Sequence, residues 1–254
     1  MKRTIKTLIV FSVLCFLCTK LAAQEYVYEE PTAADRVYRT YREQETKPTF
    51  GLIKVEKLIK KIKEPEGDMM IEDHISALSK TDLKKLNLKE QFTYVMIHPE
   101  MYSQACVDDM TSKGEEQKIF GVLTSAISGV EWSEDQRKFL KQNRDTVQKL
   151  IFETIRIKKH MGVNLKAALI EISAWESIPA IIRYYQANKK DKDALTVLSL
   201  ILKKGKDTPY LQSRMYQKLY GDDYSYTASV NFNQANEQFL LSTAQAYFKQ
   251  KSSK

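Results

Sequence analysis

A chain of 254 residues with 43% hydrophobic content holds enough apolar material for one large domain or two small ones, and it is not a disordered chain. Its eight glycines are fewer than half of the usual ~7%, which argues against glycine-rich phosphate loops and against a sheet-rich fold with many tight turns. The formal net charge falls from +8 to +4 once the first 23 residues are set aside, because they carry four basic side chains (Lys2, Arg3, Lys6, Lys20) and no acid; the balance is mildly basic and is no nucleic-acid signature.

Lys2, Arg3 and Lys6, the apolar run from Leu8 to Leu17, and Leu21-Ala22-Ala23 have the three-part layout of a secretory signal peptide cleaved after Ala23. An apolar run of roughly ten residues is too short for a membrane span, which needs about twenty. The expectation is an exported, soluble protein, periplasmic or extracellular and not transmembrane. Cys15 and Cys18 leave with the leader, so their C-x-x-C spacing carries no redox or metal meaning, and Cys106 remains as a lone thiol that reads as a small buried hydrophobe.

Residues 24–67 read as an N-terminal extension with two short helices. Gln24 to Pro31 lacks helical period and forms an arm. Thr32 with Asp35 resembles a capping pair, and Val37, Tyr38 and Tyr41 give a short helix that ends before Lys47-Pro48. From Leu52 to Lys63, Leu52, Val55, Leu58, Ile59 and Ile62 alternate with Lys54, Lys57, Lys60, Lys61 and Lys63, a basic amphipathic helix that packs on a core or lies on an anionic membrane surface. Glu64-Pro65-Glu66-Gly67 is the clearest boundary, and residues 68–250 form the main domain.

In that domain Met69 to Leu78 is a weak helix, and Ser79 to Thr81 caps another. Phe92 to Ile97 is helix, ended by His98-Pro99. Met101 to Met110 and Glu116 to Ile127 continue helically, the second through Ile119, Val122, Leu123, Ala126 and Ile127. Ser133 and Gln136 form a capping box for a long helix that finishes at Lys158, Lys159, His160 and Gly162, with a break near Asn143 to Asp145. From Gly162 to Gly221 four helical signals follow on short turns: Asn164 to Ala174 behind an Asn cap, Ile178 to Asn188 with Pro179 in its first turn, a nearly all-apolar central helix capped by Asp191 and stopped by Gly205, and one opened by Thr208-Pro209. Tyr224, Tyr226, Ala228, Val230 and Phe232 then alternate with polar residues, an extended strap without an evident partner strand, before Asn233 caps a last helix. The fold class is all-α: an irregular helical bundle or an array of antiparallel helix hairpins, with a short extended segment near 224–232.

Catalytic signatures are missing: there is no G-x-S-x-G, H-E-x-x-H, dinucleotide or P-loop pattern. No cofactor or metal is expected, and the acidic pairs Asp108-Asp109, Glu115-Glu116 and Asp222-Asp223 read as solvated surface. His160 reads as a partner of its helix dipole. The sequence therefore predicts a non-catalytic interaction or structural protein of the cell envelope with a protein, peptide or glycan partner. Its contact surface is a cluster of tyrosines, Tyr216, Tyr220, Tyr224 and Tyr226, whose flat apolar faces and polar tips suit sugar or peptide recognition. The alternatives are an envelope hydrolase using His98 and Glu100 for acid–base work, and a peripheral membrane protein using Lys54, Lys57, Lys60, Lys61 and Lys63.

Overall fold

The Thr32 hydroxyl accepts from the Asp35 N–H while the Asp35 carboxylate accepts from the Thr32 N–H, and this reciprocal cap starts α1 (Ala33–Glu43). The structure is a computed structural model that describes residues 30–62, 74–102, 111–222 and 224–253. The leader, most of the arm, Lys63, Cys106, Asp108-Asp109 and Asp223 lie outside the described residues.

Gly51, in the left-handed region at φ 63°, admits the chain to α2 (Leu52–Ile59). A two-residue β1 (His74–Ile75), α3 (Lys80–Leu83), α4 (Leu88–Ile97) and β2 (Met101–Tyr102) follow. After single 3₁₀ turns come β3 (Lys118–Phe120) and β4 (Val130–Glu131). The Ser133–Gln136 box opens α5 (Glu134–Gln142), and a break at Asn143 separates it from α6 (Arg144–Lys158). Next are α7 (Val163–Glu171), α8 (Ile178–Ala187), α9 (Asp193–Lys204), α10 (Thr208–Leu211), α11 (Arg214–Tyr220), β5 (Ser229–Asn231) and α12 (Gln234–Ser252). The described chain is mainly α-helical, and none of its helices is long and apolar enough to cross a membrane.

Helix α9 is the centre. It packs against α7, α8, α12 and β3, and Ala194, Leu195, Val197, Leu198 and Leu202 are closed off from solvent. Such all-round burial is why nearly every position on it is apolar. Val55 and Leu58 of α2 belong to the same core, and Arg42 of α1 reaches Asp193 on α9 at 3.1 Å. The two helices of the N-terminal extension are thus packed into the unit that spans Pro31–Lys254.

Several expectations need correction. The helix read over Glu116 to Ile127 is instead two 3₁₀ turns flanking β3, which pairs antiparallel with β5 through Ile119↔Val230 and Phe120↔Ser229. The apolar spacing there fits a helix by coincidence; the partner that makes it a strand is the alternating segment far downstream, which therefore does have a strand partner. Met101, placed in a helix by sequence, is in β2 of the antiparallel sheet β1-β2-β4. Asn164 does not cap α7: Gly162 stands at the N-cap, and Asn164 accepts from Thr46 N–H (3.0 Å) while donating to the carbonyls of Thr46 (3.0 Å) and Met96 (2.9 Å). Asp191 does not cap α9 either; its carboxylate takes the buried Lys166 ammonium at 2.6 Å and the Tyr184 hydroxyl at 3.0 Å. The helix expected from Thr208 to Gly221 is broken into α10 and α11, because Ser213 supplies a second cap to Tyr216 N–H. Glu115 is not solvated surface: it is fully buried against Arg39 (3.2 Å) and Arg42 (3.1 Å).

Candidate functional site

The four tyrosines singled out by sequence form one aromatic column. Tyr216 and Tyr220 are four residues apart on α11, which puts them on one face with ring centroids 5.3 Å apart. Tyr216 stands edge-on to the buried Tyr210 at 5.7 Å. At the other end Tyr224 stacks on Tyr220 at 6.3 Å, and Tyr226 meets Tyr224 at 6.0 Å.

The column is anchored from inside. The Tyr220 hydroxyl donates its one proton to the Gly121 carbonyl at 2.8 Å, so it accepts from the Ser199 hydroxyl at 2.8 Å, and Ser199 in turn accepts from the Tyr210 hydroxyl. Burial pushes the Tyr220 hydroxyl pKa well up, and that of Tyr210 to about 12, so both remain neutral donors. Lys203, at the end of α9, rests its ammonium 3.9 Å from the Tyr220 ring centre and 5.9 Å from that of Tyr224. Burial lowers the Lys203 pKa. Tyr224 is 41% exposed and Tyr226 56%, whereas Tyr216 and Tyr220 are half-buried supports. The accessible ledge is Tyr224 and Tyr226.

His98 and Glu100 lie in a different place, where α4, β1 and the start of α5 meet. The Tyr94 hydroxyl donates to Glu100 Oε1 at 2.6 Å and accepts from Leu78 N–H at 3.0 Å, while the Ser133 hydroxyl donates to Glu100 Oε2. Both carboxylate oxygens of this buried residue are therefore engaged. His98 Nε2 is 2.7 Å from the Ser76 carbonyl, and since a carbonyl only accepts, Nε2 carries the proton. Gln136 closes the group by accepting from Glu100 N–H (3.1 Å) and donating to the His98 carbonyl (2.8 Å). His160, expected at a helix dipole, instead packs edge-on to Tyr41 at 5.4 Å, and burial lowers its pKa, which favours neutral imidazole over the cation a dipole would hold.

The helix expected from Leu52 to Lys63 ends at Ile59; Lys57 on α2 and Lys60 and Lys61 just after it are solvent-exposed, while Lys54 is tied to Glu90 at 2.8 Å and to the Lys85 carbonyl at 2.7 Å. Lys54, Lys57 and Lys61 border an open depression of about 790 Å³ that also includes Ile53, an isoleucine 72% exposed. Among the described residues no group of three or more His, Cys, Asp or Glu is arranged to hold a metal ion.

A further cavity of about 390 Å³ was not foreseen. Val163, Ala167 and Ile170 of α7 line it, with Val130 and Trp132 around β4 and Glu45 on the loop after α1. The indole N–H of Trp132 donates to the Val95 carbonyl at 2.8 Å, which fixes the ring. Its residues come from segments far apart in sequence, so no local motif marks it. The one available signal was on α7 itself: Val163, Ala167 and Ile170 make a second apolar face beside the core stripe Leu165, Ala168, Leu169 and Ile172. No family model matches the chain, nor does any curated protein or solved structure.

Proposed function

We propose that this chain is an exported, non-catalytic binding protein of the cell envelope, built on an array of helix hairpins, that holds a peptide or glycan partner on the ledge of Tyr224 and Tyr226. The observation that carries the reading is the column beneath the ledge. Two exposed rings sit on a stack whose inner members are locked by hydrogen bonds to Gly121 and Ser199, so little side-chain freedom remains to be lost when a partner covers them. Tyrosine offers a flat apolar face and a polar tip, which suits the faces of sugar rings or of extended peptide. The Lys203 ammonium beside the rings adds a preference for a neutral or acidic partner. The test is co-sedimentation with insoluble envelope material, comparing wild type with Tyr224→Ser/Tyr226→Ser. The expected result is lost retention with a melting temperature within about 2 °C of wild type. Equal retention, or a loss of several degrees, overturns the reading.

A second reading, peripheral attachment of α2 to an anionic membrane, draws on the exposed Ile53 among Lys57, Lys60 and Lys61. It requires flotation with vesicles rich in phosphatidylglycerol that fades with salt, and none with phosphatidylcholine.

A further inference from the structure

The cavity between α7 and β4 is separate from the tyrosine ledge, since none of the four tyrosines lines it. At about 390 Å³ it falls in the size range of small-ligand sites, and its walls are mostly apolar. Its charges decide what it would accept. Three acidic residues, Glu45, Glu131 and Glu171, line it together with one basic residue, Arg137.

Arg137 is already paired with carboxylates. Its Nε–H donates to the Trp132 carbonyl at 3.1 Å, Nη2 to Glu131 at 2.7 Å, and Nη1 faces Glu171 at 3.5 Å. Glu171 is further matched by Lys141 at 2.7 Å. Glu45 differs. Among the described residues its carboxylate meets no hydrogen-bond donor or ion pair, and only Lys47 on the same loop tempers its charge. The residue is exposed at the mouth of the cavity, and protein packed around the carboxyl raises its pKa. A carboxylate with no ion-pair or hydrogen-bond partner beside an apolar hollow is where a ligand ammonium gains most.

We propose that this cavity binds a small cationic amphiphile, with its ammonium on Glu45 and its apolar body between Ala167, Ile170, Val130 and Trp132. An anion of the same shape would meet an excess of carboxylates and an Arg137 already occupied.

Fluorescence titration of the purified protein with three probes tests this. Dansylcadaverine carries an ammonium on an apolar body, dansylamide has the same ring system without charge, and anilinonaphthalene sulfonate is an apolar anion. Dansylcadaverine should bind tightest and the sulfonate weakest. Glu45→Gln should weaken dansylcadaverine roughly fivefold and leave dansylamide within about twofold. Ala126→Trp, at an exposed position on the cavity rim, should abolish binding of both by filling the space. Because Glu45 and Ala126 are exposed, neither substitution disturbs the core. A tighter sulfonate, an unchanged dansylcadaverine affinity in Glu45→Gln, binding that survives Ala126→Trp, or no binding of any probe because another segment fills the cavity, would each overturn the proposal.

Discussion

Replacing Lys166 by methionine is the sharpest probe of how the interior is held. Lys166 and Asp191 are each 1% exposed and joined at 2.6 Å, and Asp191 is also bonded to the Tyr184 hydroxyl, which in turn accepts from Met161 N–H at 3.0 Å. Methionine keeps most of the volume and removes the charge, so the loss reports on the stranded carboxylate. Removing one partner of a buried pair costs about 3–5 kcal/mol, a large share of a stability of about 5–15 kcal/mol, and corresponds to a fall in melting temperature of roughly 10 °C. The cost depends on pH with a definite sign. Burial raises the Asp191 pKa in the folded wild type, and Lys166 is the main opposing influence. Without Lys166 the folded carboxyl rises further, so between the unfolded value near 3.9 and the raised folded value the native state binds more protons than the unfolded state. Stability of Lys166→Met relative to wild type must then fall as pH rises through that window, and return as acid protonates Asp191. Urea unfolding followed by circular dichroism at roughly pH 4 and roughly pH 7.5 measures both ends. The double variant Lys166→Met/Asp191→Asn should recover about 2 kcal/mol or more of the single loss at neutral pH. A single-variant cost under about 1 kcal/mol at neutral pH, the value of a surface pair, or an equal cost at both pH values, refutes this account.

Gly162→Ala should cost about 1–3 kcal/mol although its backbone, at φ −60° and ψ 161°, suits any residue; a Cβ there would run into the backbone of Glu45 and Thr46, which cannot withdraw while Gly162 N–H donates to Thr46 Oγ1 at 2.9 Å. Faster hydrogen exchange at the Val163 amide, which donates to the Gln44 carbonyl, would locate the damage, and wild-type stability would remove the argument. Tyr220→Phe should lose about 1–2 kcal/mol with its two hydrogen bonds, whereas Tyr224→Phe should change stability by less than about 0.5 kcal/mol. Equal losses in thermal melts would mean that the column has no anchored inner end.

What the sequence made legible follows the range of the interactions involved. The Thr32–Asp35 and Ser133–Gln136 boxes, Pro179 in the first turn of α8, the break at Asn143 and the all-apolar centre α9 are each decided within a few residues, and each is in the structure. The tyrosine column was legible for a related reason: Tyr216 and Tyr220 share a helix face, and a short connection returns Tyr224 to them. Polar residues misled where a distant partner took the place of the expected local one. Asn164 and Asp191 have the composition of caps, but a cap spends one oxygen on a nearby N–H, while these two satisfy Thr46, Met96, Lys166 and Tyr184 across the core. Glu115 beside Glu116 has the pattern of a wet surface, and only the positions of Arg39 and Arg42, on a helix more than seventy residues earlier, bury it.

The cavity beside α7 was the least legible feature, and α7 shows why. A helix in a two-layer packing needs one apolar stripe; α7 carries two, and the surplus face Val163, Ala167 and Ile170 demands a second neighbour. The neighbour is an irregular segment around β4 whose own local pattern had no helix or long strand to announce it. Irregular backbone packs less densely on a helix than another helix does, because it offers no regular ridges to enter the grooves between turns. A hollow therefore opens where the surplus apolar face of α7 meets that segment, and Glu45, which lines it without an ion-pair or hydrogen-bond partner, is the one lining charge that the packing of the rest does not explain.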